Sequence, residues 1–355
     1  MKLALAQLNP VIGDLNGNAE KIFEVCKEIK NEDVDLVITP ELSLIGYPPK
    51  DLLFNPRLFE EEKDVLNKLS ERLSNLSRDL SVLIGIAEPT PDKEIPKLYN
   101  SVVILEKGTW RIVARKQLLP TYDVFDEKRY FRSAENSSIL NFNHQEKLWK
   151  IGITICEDIW VEKNLQNEKI QGKDPLRSLE QEKLDLLINL SASPFIEAKS
   201  LLRQRIAAKA AIRLSCPVIY VNQVGGNDEL IFDGSSFALN NDGRLRHELP
   251  AFTESISLCD ISSLKQKTSI SSKNPTSQEI LFRALVLGVK DYARKCNFNS
   301  SVIGLSGGID SALVATIAVA ALGISKVHAI LMPSPWSSEG SVKDATTLAN
   351  RLGIH

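Results

Sequence analysis

Apolar residues fall along this chain in short β-branched runs, separated by longer stretches in which they recur every three or four positions, the pattern of strands alternating with amphipathic helices. The first run, Lys2–Leu8, ends in the turn Asn9–Gly13 and is followed by a helical pattern over Ala19–Lys30 and a second run, Asp35–Thr39, that stops at Pro40-Glu41. Strand, helix, strand predicts parallel pairing through a right-handed crossover. Beyond a loop holding Gly46, Pro48 and Pro49, a charged amphipathic helix is expected near Arg57–Leu80, then a strand Ser81–Ala87 and a hairpin of Asn100–Leu105 with Trp110–Arg115. The loop Leu119–Phe131 leads to the run Lys150–Trp160, KIGITICEDIW, in which an apolar stretch meets Cys156 and two acids.

Further on, Leu184–Leu190 reads as a buried strand, Leu201–Leu214 as a helix, Pro217–Asn222 as a strand and Ser235–Leu249 as a hairpin turning at Asn241-Asp242-Gly243. These elements predict a layered α/β domain over residues 1–260 with some antiparallel pairing. Residues 261–276, with five serines and three lysines, read as a linker. A second α/β unit is expected over 277–355: helix Gln278–Lys295, strand Ser301–Leu305, helix Ala312–Leu322, strand Lys326–Leu331 and a helix from Ser338. Two strands bury too little for a complete doubly wound sheet, so the chain is expected to stop within this domain. The polar stretch Val161–Arg177 is expected to be a surface loop.

Composition narrows the function. A formal net charge of -2 gives no basic footprint for nucleic acid or an anionic membrane. Five cysteines without a CxxC pair, and four histidines, argue for a reducing compartment rather than a disulfide framework or zinc site. The N-terminus is broken by Gln7, Asn9 and Pro10 before it could act as a signal peptide, and no apolar run reaches the roughly 20 residues of a membrane helix, so a cytoplasmic location is expected.

Two constellations carry chemistry. Cys156 ends a strand, where backbone N–H groups of the following turn can face whatever the sulfur attacks. Taken alone, a cysteine reads as a small buried hydrophobe, and Glu41 and Lys116 read as solvated strand-end charges. Parallel α/β domains gather such residues at the carboxyl ends of their strands, and together they offer a thiol, a base for its proton and a cation for an oxyanion. The second constellation, Gly304, Leu305, Ser306, Gly307, Gly308, Ile309, Asp310 and Ser311, runs from a strand into a helix without Cβ obstruction at its glycines, so that backbone amides can cradle phosphate. It is not a Walker loop, because no Gly-Lys-Ser/Thr follows.

The segments PELSLIGYPPKDL, KQLLPTYDVFDEKRYF, GITICEDIW and NLSASPF resemble the nitrilase-type glutaminase domain of glutamine-dependent NAD synthetases. SGGIDS is similar to the pyrophosphate loop of N-type ATP pyrophosphatases. Met332–Ala345 resembles a synthetase segment that has Arg-Tyr where this chain has Pro335-Trp336. The resemblance implies a nitrilase-like αββα domain followed by the start of a doubly wound, parallel-sheet domain of the adenine nucleotide alpha hydrolase type. It implies a Glu41–Lys116–Cys156 triad with Glu127 packed against it, and glutamine contacts at Tyr122, Ser193 and Lys199. It further implies ATP on Gly304–Ser311, with magnesium at Asp310 and no prosthetic group. Ammonia from glutamine would then amidate deamido-NAD, ATP being cleaved to AMP and pyrophosphate.

The expected partners are therefore glutamine, ATP and deamido-NAD, with self-association into a homo-oligomer and neither nucleic acid nor membrane. The chain as it stands is expected to hydrolyse glutamine and make little NAD. One rival reading is a stand-alone nitrilase-class amidase, which would not bind nucleotide. Another is a non-catalytic nucleotide-binding module, in which Cys156→Ala would change nothing.

Overall fold

The computed structural model describes residues 1–90, 96–161, 172–265, 276–336 and 338–355. The first half of the leading unit runs β1 (Lys2–Gln7), α1 (Leu15–Glu28), β2 (Leu36–Ile38), α2 (Pro56–Leu76), β3 (Ser81–Pro89), β4 (Leu98–Glu106) and β5 (Thr109–Arg115). Then come β6 (Ser138–His144), β7 (Lys147–Ile155), α3 (Leu176–Leu179), β8 (Leu186–Ser191), α4 (Lys199–Leu214), β9 (Val218–Asn222), β10 (Val224–Asn227), β11 (Leu230–Asp233), β12 (Phe237–Leu239), β13 (Leu245–Glu248) and β14 (Ser255–Asp260).

The strands form two six-stranded sheets, in the orders β14-β1-β2-β3-β4-β5 and β13-β12-β9-β8-β7-β6. In the first, β1, β2 and β3 are parallel; in the second, β7, β8 and β9 are. Alternating side chains of the two sheets meet in one core, Leu3, Leu5, Leu36 and Ile38 from the first with Ile153, Ile155, Ile188 and Leu190 from the second. On the outer face of the second sheet, Ile206, Ala207, Ala210 and Ala211 of α4 pack on Leu187, Val218 and Tyr220. Helix α2 packs on β3, β4 and β5 of the first sheet with α1 against it, which gives four layers, αββα. The α/β class and the nitrilase-like layering expected from the sequence are the fold observed.

Several boundaries moved for local reasons. Helix α1 begins at Leu15 rather than Ala19 because the Asp14 carboxylate accepts the Gly17 N–H at 2.9 Å and caps the first turn. Helix α2 opens on Pro56, with Asn55 as its cap, and stops at Leu76, where Ser77 turns extended ahead of β3. Strand β6, which escaped the sequence reading, pairs with β7 through a two-residue turn in which Gln145 and Glu146 both take left-handed φ, 45° and 61°. Such a turn is ordinarily signalled by Asn-Gly, and here it is not. The hairpin β10–β11 and the closing strand β14, antiparallel to β1, were likewise unforeseen.

By compactness the chain divides into Met1–Val224 with Phe232–Ser272, and Gly225–Ile231 with Lys273–His355. The short segment inside the second group lies within the stretch read as the first domain. The second unit also holds α5 (Ser277–Lys295), β15 (Ser301–Gly304), α6 (Ile309–Leu322), β16 (Val327–Ile330) and α7 (Glu339–Leu352). Strands β15 and β16 are parallel, with α6 as the crossover between them. Its small core joins Leu305, Ala315 and Ala345, with Ala318, Val327 and Ile354 beside them. On α5, Asp291 accepts the Gly226 N–H at 2.8 Å, and a Cβ on Gly226 would lie 3.2 Å from the Gly288 Cα, so the glycine pair permits this close approach. Most of the expected linker and loop, residues 266–275 and 162–171, lie outside the described residues.

Candidate active site

Four strand ends of the first unit converge. Glu41 follows β2, Lys116 follows β5, Cys156 follows β7, and Ser191 closes β8. Glu41 and Lys116 are fully buried, which excludes the reading of either as a solvated charge. The Lys116 ammonium donates to Glu41 Oε1 at 2.6 Å and to Glu127 Oε1 at 2.8 Å. Three further donors fix the acids: Asn100 Nδ2 and the Ala192 N–H on Glu41, at 2.7 and 2.9 Å, and the Tyr47 hydroxyl on Glu127, at 2.8 Å. The second oxygen of Glu127 is buried and has no hydrogen-bond partner.

Cys156 opens a short 3-10 turn, Cys156–Ile159, with φ of +48°, a conformation that costs a non-glycine residue about 1–3 kcal/mol and persists where its surroundings impose it. Asn189 Nδ2 holds the Cys156 carbonyl at 3.2 Å. Burial, and then the Glu41 carboxylate, push the thiol well above the ordinary range, while Lys116 and a hydrogen bond from Ser191 act in the opposite direction. The resting sulfur is therefore a thiol. Burial would lower the Lys116 ammonium, but Glu127 and Glu41 together hold it well above the ordinary lysine value, so it stays charged. Glu127 is raised to about 7 by burial, against the pull of Lys116. A neutral thiol, a buried carboxylate and a fixed cation are the parts needed for nucleophilic attack with general-base assistance.

Beyond the thiol lies a second charged pair. The Tyr122 hydroxyl donates to Glu157 Oε1, while Glu157 Oε2 is buried and without a partner. The Lys199 ammonium, at the start of α4, stands 5.8 Å from the ring centroids of both Phe125 and Trp160 and makes no hydrogen bond or ion pair with the described residues. Burial lowers its basicity, and the Cys156 and Glu157 charges partly restore it. Ser193 is buried, its N–H on Asn222 Oδ1 at 2.8 Å and its carbonyl on Arg203, itself paired with Asp233. Of the first-unit residues singled out in the sequence, Glu41, Lys116, Glu127, Tyr122 and Lys199 interact with Cys156 or with one another, and Ser193 follows Ala192, whose N–H holds Glu41. Sequence reasoning missed Asn100, Tyr47, Glu157, Asp158, Asn189 and Ser191; the two acids after Cys156 were the signal for Glu157 and Asp158.

In the second unit, Gly304–Ser311 runs from β15 into α6 as expected. Gly307 has φ of +84°, and a Cβ there would come 2.2 Å from the Ser341 carbonyl oxygen in α7, so glycine is required twice over. The Ser311 hydroxyl donates to the Gly308 carbonyl and shares a 3.0 Å hydrogen bond with Ser306 Oγ. Leu305 faces the core, so only its backbone is available to a ligand, whereas Asp310 is exposed in the first turn of α6. Ser337 lies outside the described residues. Among the described residues no three His, Cys, Asp or Glu side chains converge as a metal site. A magnesium ion at Asp310 would accordingly need phosphate oxygens as its other ligands.

The model of the carbon-nitrogen hydrolase family matches residues 2–268. The chain belongs to this family. In this carbon-nitrogen hydrolase, residues 281–355 match a second family model, NAD synthase. Curated relatives include the glutamine-dependent NAD(+) synthetases of Synechocystis sp., 45% identical over 99% of this chain, and of Thermotoga maritima, 35% identical over all of it. The chain spans 63% and 64% of their lengths. Among solved structures, the glutamine-dependent NAD+ synthetase from Acinetobacter baumannii in complex with ADP superposes with a TM-score of 0.87 at 36% identity, covering 99% of this chain and 63% of that one. An amidase from Nesterenkonia sp. shares the fold over 75% of this chain and 93% of its own, with a TM-score of 0.59 at 16% identity. No helix among the described residues of this carbon-nitrogen hydrolase is long and apolar enough to cross a membrane.

Proposed function

We propose that the first unit hydrolyses the side-chain amide of glutamine and that its ammonia serves an ATP-dependent amidation of deamido-NAD to NAD in which the second unit takes part. The observation that carries the first half is the Lys116 ammonium, fully buried between Glu41 and Glu127 at the strand end next to Cys156. Glu41 takes the proton from Sγ as the sulfur attacks the carboxamide carbon, and Lys116 meets the charge that develops on the carbonyl oxygen. The proton on Glu41 passes to the departing nitrogen as the carbon–nitrogen bond breaks, leaving ammonia and a glutamyl thioester. Water activated by Glu41 then cleaves the thioester to glutamate and returns the thiol. Glutamine itself is favoured by the second charged pair, since an α-amino acid carries one ammonium and one carboxylate. The unpartnered oxygen of Glu157 fits the former, and the Lys199 ammonium, which has no ion pair among the described residues, fits the latter, with Tyr122 and Ser193 as further contacts.

The second half is supported by the Gly304–Ser311 loop, which opens a helix beside the start of α7, and by relatives that are NAD synthetases. Anions are stabilised at such helix starts, and the loop suits the phosphates of ATP, with Asp310 and those phosphates holding magnesium when it is present. Magnesium would neutralise phosphate charge. We also propose a cytoplasmic homo-oligomer and keep the domain limits 1–260 and 277–355.

The chain should release ammonia from glutamine in a coupled assay, and Cys156→Ala should abolish that release. Equal rates for the two proteins, or none from the wild type with any primary amide, would sink the reading.

A further inference from the structure

The second acid after the nucleophile, Asp158, is buried and has no cation within ion-pair distance among the described residues. Its two oxygens reach in opposite directions. Oδ1 accepts the N–H groups of Gln117 and Leu118, at 3.0 and 2.8 Å, and Oδ2 accepts the N–H of Ile155 at 3.0 Å. Gln117 directly follows Lys116, and Ile155 directly precedes Cys156. One planar group therefore bridges the backbone of the cation to the backbone of the nucleophile, although the two belong to strands of different sheets.

We propose that Asp158 is a positioning residue that sets the distance between the Lys116 ammonium and the Cys156 thiol, and that it does so only as a carboxylate. Three N–H donors converge on two oxygens, and only an ionised carboxyl group accepts at both. An amide of the same shape would turn an NH2 towards Ile155 or towards Gln117 and Leu118, and that side of the clamp would open. The groups that act most strongly on the thiol are Glu41, Lys116, Glu157 and Ser191, and Tyr47, Tyr122, Lys199, Arg203 and Tyr220 also interact with it. Of the cations, Lys116 acts most strongly in favour of a thiolate, with Lys199 and Arg203 adding to it, so withdrawing Lys116 makes the thiolate harder to form.

The inference rests on the reading of Cys156 as the nucleophile of glutamine hydrolysis, and the test separates the two. Alkylation of Cys156 by iodoacetamide, followed by peptide mass spectrometry against pH, is compared in wild type, Asp158→Asn and Asp158→Glu, with steady-state glutamine hydrolysis measured alongside. In Asp158→Asn, kcat should fall by about 100-fold, the loss typical of a misplacement near 1 Å, with KM within about threefold of wild type. The alkylation midpoint should move to higher pH. Asp158→Glu, which keeps the charge on a longer arm, should recover part of kcat. An unchanged midpoint, with kcat reduced only by the unfolded fraction, overturns the inference. Should Asp158→Asn fail to fold, a wild-type midpoint and kcat in Asp158→Glu overturn it equally. A shifted midpoint in a protein that hydrolyses no glutamine leaves the positioning intact and removes the glutaminase reading instead.

Discussion

Lys116 is the residue on which the candidate site turns. A fully buried ammonium is tolerated because two carboxylates lie within 2.8 Å of it. Lys116→Met is expected to lower glutamine hydrolysis at least about 1,000-fold by removing the oxyanion's cation. The same change should cost about 3–5 kcal/mol in urea unfolding, because Glu41 and Glu127 are left facing one another. A variant that kept wild-type stability would show that the acids share a proton instead. At this scale the sequence was legible where a residue ended a predicted strand, as Glu41, Lys116 and Cys156 do. It was silent where a residue's task is to satisfy a neighbour. Asn100 sits inside β4, and nothing in its surroundings shows that its amide will hold Glu41.

Elements position these residues through contacts that their own periodicity hides. Helix α2 was legible from its apolar spacing, yet that spacing places a carboxylate, Glu62, on the buried side, where it accepts a 3.3 Å contact from the Ala87 N–H of β3. Burial raises Glu62 to about 8, with the Ala87 N–H acting weakly against it. The folded protein then binds a proton that the unfolded chain has already released above its ordinary value of 4.5. This contribution to stability is complete below 4.5 and is lost as pH rises through about 8. Glu62→Gln should match wild type near pH 5 and exceed its melting temperature by about 5 °C at pH 9. Parallel falls in the two melting curves would refute this. The β6–β7 hairpin marks the other limit of legibility, since Gln145 and Glu146 adopt left-handed conformations that their side chains do not announce.

At the scale of the whole molecule, each unit has its own core and its own candidate site. The chemistry proposed at Cys156 is therefore expected not to require the loop at Gly307. Gly307→Asp, which places a side chain against the Ser341 carbonyl, is expected to remove ATP binding measured by calorimetry and to leave glutamine hydrolysis within about twofold of wild type. Cys156→Ala should do the reverse. The serine- and lysine-rich stretch after Asp260 suggested a boundary in the sequence, and the second compact unit resumes within it, at Lys273. The return of seven residues, Gly225–Ile231, to the second unit was not legible, because a hairpin of small and polar residues resembles any surface loop until its packing on α5 is seen.

That hairpin makes the polypeptide enter the second unit, leave it and enter it again. The units are consequently not interchangeable cassettes. Producing only one side of the serine-rich stretch would strand Gly226 without its Asp291 acceptor, or leave the Gly288 face of α5 uncovered, so a genetic fusion of the second unit would have to carry the hairpin too. Proteolytic nicking between the units should accordingly yield two fragments that remain associated under native conditions.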